Sequence, residues 1–171
     1  MKVRTACRLV VMVLAVNGAA FSQGNDGYTR RSLQGLAGIQ VVVELILPPE
    51  MAASVTDVEL EVQAERTLQK AGIRVLDRDK ALQMPGRPKL HYTVHVVKSA
   101  NLPIHALTLE VALAQGVLLA RDNSISAEAH TWSQSATGLM ENPDLKPAIG
   151  NAIERATEEF IIAFREQNPK R

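Results

Sequence analysis

Ile39-Gln40-Val41-Val42-Val43-Glu44-Leu45-Ile46-Leu47 decides how the rest of the chain is read. Side chains on an extended strand alternate between two faces, so Ile39, Val41, Val43, Leu45 and Leu47 share one face. Val42 and Ile46 make the other face partly apolar, which places this strand at the centre of a sheet rather than at its edge. Pro48-Pro49 stops the run, and the period then changes. Leu60, Ala64, Leu68 and Ala71 recur at helical spacing and form one apolar stripe. Thr56 followed by Glu59 is a capping box that starts this helix, with Ser54 as the alternative cap. Gly72 is a natural stop, and Lys70 suits the negative end of the helix dipole.

Working outward, residues 73–76 read as a short strand. Asp77 caps a brief helix over 78–83, stopped by Pro85-Gly86. Residues 89–98 alternate, with Leu90, Tyr92, Val94 and Val96 on one side. Residues 104–119 form a long strand with Leu107, Leu109, Val111 and Leu113 inward, and Gln115-Gly116 reads as a bulge within it. Residues 121–124 are a hairpin turn. The last strand is expected over 125–133, followed by a loop over 134–146. Ile149, Ala152, Ile153, Ala156, Phe160, Ala163 and Phe164 then mark the clearest helical stripe in the chain. Pro147 is tolerated only in a first turn, so the cap is Asp144 or Lys146.

The order β-α-β-β-β-β-α gives an α+β fold, a two-layer sandwich with a mixed sheet of about five strands. Each helix has a single apolar stripe and cannot form a core alone, so the two main helices lie on one face of the sheet. The first two strands are expected to be parallel and the last three antiparallel. The domain spans 35–171, and the polar, glycine-containing residues 23–34 read as a flexible lead-in.

Residues 1–22 read as a cleavable secretory signal peptide. Lys2, Arg4 and Arg8 precede an apolar run over 9–16, and Ala20-Phe21-Ser22 prepares a cut at Gln23. Asn17 and Gly18 interrupt the run short of the roughly 17–25 apolar residues needed to span a membrane. The expected location is therefore periplasmic or secreted. Cys7, the only cysteine, precedes the apolar run, so it is neither a lipoprotein acylation site nor part of a disulfide. Removing 1–22 takes three basic residues and no acidic one, which turns the formal charge of +1 slightly negative. Nucleic acid is a poor partner for such a domain, because binding it rests on neutralising phosphates.

Three stretches, 32–44, 71–76 and Thr131-Trp132-Ser133, resemble a family of small exported bacterial proteins without an assigned function. The likeness covers most of the mature chain and brings no active-site residues with it. Residues 69–83 are also similar to the module found in the amino-terminal domain of TolB and in periplasmic activators of penicillin-binding proteins. There too a helix ends at a glycine, a strand resembling Ile73-Arg74-Val75-Leu76 follows, and a short helix comes next. That resemblance implies a role in binding envelope proteins, at the level of fold alone.

No nucleophile elbow, HExxH zinc motif, phosphate loop or dinucleotide fingerprint is present, and no cofactor is expected. The constellation to weigh is His91 and His95 on one strand, Glu110 on the next, and Glu128, His130 and Trp132 on the last. All are expected on the sheet face away from the helices. His91 and His95 are roughly 13 Å apart along a strand, too far to chelate one ion together; His95, Glu110 and His130 are the set that could, although His95 and His130 are about 9.5 Å apart across two strand spacings. His95, Glu110, His130 and Trp132 therefore read as an interaction surface, in which Trp132 either packs under a loop or serves as the anchor for a partner. Trp132→Ala is then expected to spare folding and weaken binding. The leading function is a non-catalytic exported domain that binds an envelope protein or another envelope component. A small-ligand or lipid carrier, with an apolar pocket between sheet and helices, is the alternative. A hydrolase-type enzyme using the histidines and carboxylates ranks below both.

Overall fold

The computed structural model describes residues 24–141 and 144–169. The signal peptide reading for 1–22 and the cut at Gln23 fall outside the described residues. The sheet has four strands in the order β1-β2-β3-β4: β1 (Gln40–Ile46), β2 (Lys89–Lys98), β3 (Ile104–Leu119) and β4 (Asp122–Glu141). The helices are α1 (Asp57–Lys70), α2 (Arg78–Gln83) and α3 (Leu145–Gln167). β1 and β2 are parallel, while β2, β3 and β4 form an antiparallel meander. This is the α+β sandwich expected from the periodicities, with one strand fewer.

The missing strand is residues 73–76. They make a single parallel bridge, Val75 to Ile39, closed by Ile39 N–H donating to Arg74 O (3.0 Å) and Leu76 N–H donating to Ile39 O (2.8 Å). The segment cannot extend, because Asp77 accepts the Lys80 N–H (2.8 Å) and starts α2 at once. Its close approach depends on Gly38, where a Cβ would meet Leu76 Cγ at 3.0 Å. As a result β1 is an edge strand and not the centre of the sheet. Its apolar Val42 and Ile46 do not signal a second buried layer, since Ile46 is 45% exposed.

The helix signals hold. Thr56 accepts the Glu59 N–H at the start of α1, and Gly72, with φ of +82°, ends it in a conformation that only glycine adopts without strain. Asp144 precedes α3, which places Pro147 in the first turn. Leu60, Ala64 and Leu68 of α1 and Ile149, Ile153, Ala156 and Phe160 of α3 are buried against the inward residues of β1, β2 and β3. Burying Ile149, Ile153 and Phe160 contributes on the order of 1.5–3 kcal/mol each. Tyr92 is fully buried in this core, and its hydroxyl meets Thr157 Oγ1 at 2.8 Å.

Two loop expectations change. β4 runs on to Glu141, pairing with β3 as far as Ile104, where a loop was expected from 134. The lead-in is also packed. It holds a 3₁₀ helix, Thr29–Leu33, and Leu33 is fully buried in the core. Ser133 N–H donates to Gly24 O (3.0 Å), and Ser32 Oγ donates to Thr131 O (3.2 Å).

Candidate functional site

The register maps the outer face of the sheet completely. In a row across the strands, Ile46 lies beside His95, Thr108 and Thr137. The next row holds Val97, Ala106 and Leu139, and in the other direction Glu44, Thr93, Glu110 and Ser135. Beyond these come Val42, His91, Ala112 and Ser133, then Lys89, Ala114 and His130. One end of the face is apolar: Ile46, Val97 (50% exposed) and Leu139 (73%) stand in water, and Leu102 in the β2–β3 loop is exposed too. The other end is charged. His91 Nε2 lies 3.5 Å from Glu44 Oε2, His130 Nδ1 4.0 Å from Glu110 Oε1, and Lys89 Nζ 2.9 Å from Glu128 Oε2.

Of the four residues expected to form the interaction surface, three are on this face. His95, Glu110 and His130 are exposed, and His130 and Glu110 approach each other. His95 lies one row away, between Ile46 and Thr108. Among the described residues no group of three His, Cys, Asp or Glu converges on one point.

Trp132 is the exception, and the outward placement is corrected. Trp132 pairs with Leu113 on the inner face, whereas His130 pairs with Ala114 on the outer one. Thr131 is the extra residue between them. This β-bulge, not one at Gln115-Gly116, resets the alternation of β4. Its polar atoms are satisfied locally: Gln115 Nε2 donates to Thr131 Oγ1 (2.7 Å), and Thr131 O accepts from Ser32. Trp132 is 1% exposed and meets the Phe160 ring edge-on at 5.2 Å and 70°. Its indole N–H donates to Asn25 Oδ1 (2.9 Å), which also accepts from Arg30 Nε (2.7 Å). The lead-in thus closes over the one polar atom of the tryptophan.

A second feature lies on the inner side. Because β4 outruns the helices' cover, a groove of about 340 Å³ opens between its second half and α3. Leu107 and Leu109 floor it, and Ala136, Gly138, Ala152 and Ala156 line its walls. The sequence concealed this groove, since small residues read as neither core nor site. His105 was also missed. It shares the parity of Leu107 and Leu109, so alternation places it inward, where it is buried. Neither ring nitrogen meets a protein hydrogen-bond partner among the described residues. Glu50 lies near it, its carboxyl held below the ordinary value first by its own backbone N–H and then by Lys98.

No family model matches the chain, and no curated protein does. Among solved structures it is similar to a PelC dodecamer from Paraburkholderia phytofirmans, with a TM-score of 0.42 and 15% sequence identity. The match covers 75% of this chain and 87% of that one. A likeness that loose carries no argument. No helix among the described residues is long and apolar enough to cross a membrane.

Proposed function

We propose that this chain is an exported, non-catalytic binding module that holds an envelope protein, or another envelope component, on the open face of its sheet. The observation that carries this reading is the apolar end of that face, where Ile46, Val97 and Leu139 stand exposed on three of the four strands. Leaving such side chains in water is unfavourable, and an apolar patch rimmed by polar groups is the usual mark of a partner site. Here the rim is His95, Thr108 and Thr137, in register with Ile46. The resemblance of 69–83 to envelope assembly modules supports the same reading, as does the signal peptide composition of 1–22. The polar end adds the partly exposed Lys89–Glu128 ion pair and two histidine–glutamate contacts, which suit orientation and on-rate better than affinity.

The test is capture from envelope extract with the parent chain and with Val97→Asp. The variant should melt within about 2 °C of the parent, because the site is solvated. It should retain at least roughly tenfold less of the captured component, a loss of about 1.4 kcal/mol. Undiminished capture by a folded Val97→Asp chain would remove the outer face from consideration.

A further inference from the structure

The two edges of the sheet are managed differently. On β1, the Glu61 carboxylate accepts the Val43 N–H (3.1 Å), and residues 73–76 bridge to Ile39. On β4, the described lead-in reaches Thr131 through Ser32 Oγ, Ser133 through Gly24 O, and the Gln134 side chain through Asn25 Nδ2 (3.1 Å). From Gln134 to Met140, no backbone hydrogen bond reaches that edge from outside the sheet among the described residues. The stretch Gln134-Ser135-Ala136-Thr137-Gly138-Leu139-Met140 contains no charge and no proline. Long edges of this kind template pairing with another chain, and proteins ordinarily blunt them with charges, prolines or a covering segment.

The first five of these residues, Gln134 to Gly138, form one wall of the groove against α3. Strand and groove therefore offer both parts of strand-addition recognition: main-chain groups along an edge, and space for every second side chain of the added strand. The groove is apolar at its floor and carries two charges. Glu159 is engaged by the Gln134 amide, whereas Arg155 has no ion pair or hydrogen bond among the described residues. Arg155 is exposed, so an acidic side chain on a bound ligand would find an unpaired cation within reach at the groove.

We propose that the free edge of β4 over residues 134–140, together with the β4–α3 groove, takes an extended peptide segment of a partner protein by strand addition. The peptide's groove-facing side chains are apolar, and one acidic side chain reaches Arg155. Seven residues span about 23 Å, enough to hold a strand of ordinary length. The proposal does not rest on the outer-face reading, because the groove is on the opposite side of the sheet from Val97.

The test is a phage-displayed library of random short peptides panned against the intact chain. Enriched peptides should alternate apolar residues and carry one Asp or Glu. Ala152→Trp, which fills the groove from the helix side, should weaken their binding by about tenfold or more. Thr137→Pro, which disrupts the strand edge and also removes the Thr137–Thr108 hydroxyl contact on the outer face, should do the same, whereas Val97→Asp, which touches the outer face alone, should leave binding unchanged. Arg155→Glu should lose the acidic peptides by about tenfold and regain binding when the peptide's acid is exchanged for lysine. Three outcomes would overturn the proposal. The library could yield nothing, or its peptides could bind a folded Ala152→Trp chain as tightly as the parent. A concentration-dependent dimer dissolved by Thr137→Pro, with no peptide enriched, would instead assign the edge to a second copy of the chain.

Discussion

Trp132 and His130 are two positions apart on one strand, yet they belong to opposite environments. Trp132 is packed between Leu113 and the Phe160 ring and closed over by Asn25. His130 is exposed, its Nδ1 4.0 Å from Glu110 Oε1. The inner face is a core in which the Tyr92 hydroxyl and the Trp132 indole N–H each have a partner, while the buried His105 ring has none among the described residues. The outer face leaves both apolar and charged side chains in water. The difference shows that the sheet has one buried side and one side open to solvent, and that a single extra residue decides which side a β4 residue joins.

The largest expected effects test the inner side. Trp132→Ala and Phe160→Ala should each destabilise the fold by roughly 3–5 kcal/mol, through lost burial and the cavity left behind. The edge-to-face pair adds about 0.5–1.5 kcal/mol beyond area, so the double variant should cost less than the sum. A Trp132→Ala chain that unfolded at the parent's denaturant midpoint would return the tryptophan to the outer face and erase the contrast.

A smaller effect probes the buried polar pair. Thr157→Val should cost about 1–3 kcal/mol by leaving the Tyr92 hydroxyl unsatisfied, and adding Tyr92→Phe should recover part of that loss. The same pair gives a pH dependence with a definite sign. Burial pushes the Tyr92 phenol up, against the lesser opposing pull of the Thr157 hydrogen bond. The folded chain therefore keeps Tyr92 neutral at a pH where the unfolded chain's tyrosine has ionised. Stability from this group is complete below about pH 10 and declines as pH rises beyond it. Denaturant titrations between about pH 9 and 11.5 should show a steeper decline for the parent than for Tyr92→Phe. Equal slopes would mean that Tyr92 is not sealed from water.

The smallest effect belongs to the outer side. His95→Ala and Glu158→Ala, both at exposed positions, should change stability by less than about 0.5 kcal/mol. A loss at His95 comparable to that at Phe160 would mean that the outer face is covered after all.

How far the sequence could be read follows from these same residues. α1 and α3 were legible because each has a long stripe at helical spacing with a cap and a stop, and helical period survives any tertiary context that buries it. β2 and the first part of β3 were legible because clean alternation reports one buried face. β1 was misplaced because apolar residues on both faces fit either a central strand or an edge strand with an apolar outer face. The second half of β4 looked like a loop, since its inward Ala136 and Gly138 face the groove and not the core, leaving no apolar alternation to see. Of the site, His95, Glu110 and His130 were readable from parity alone. Trp132 was not, because parity counts residues, and at a bulge the count is off by one.

That off-by-one has a consequence for how chains of this kind are compared and altered in length. Deleting Thr131 would make His130 and Trp132 consecutive, and plain alternation would then keep His130 outward and Trp132 inward, removing the bulge without exchanging their faces. An ungapped alignment with a sequence that lacks the extra residue would match inner positions with outer ones all along one arm of β4. It would then score exchanges between buried and exposed positions that never took place, and a gap of one at position 131 restores the phase. In this strand, length is information about which side faces inward.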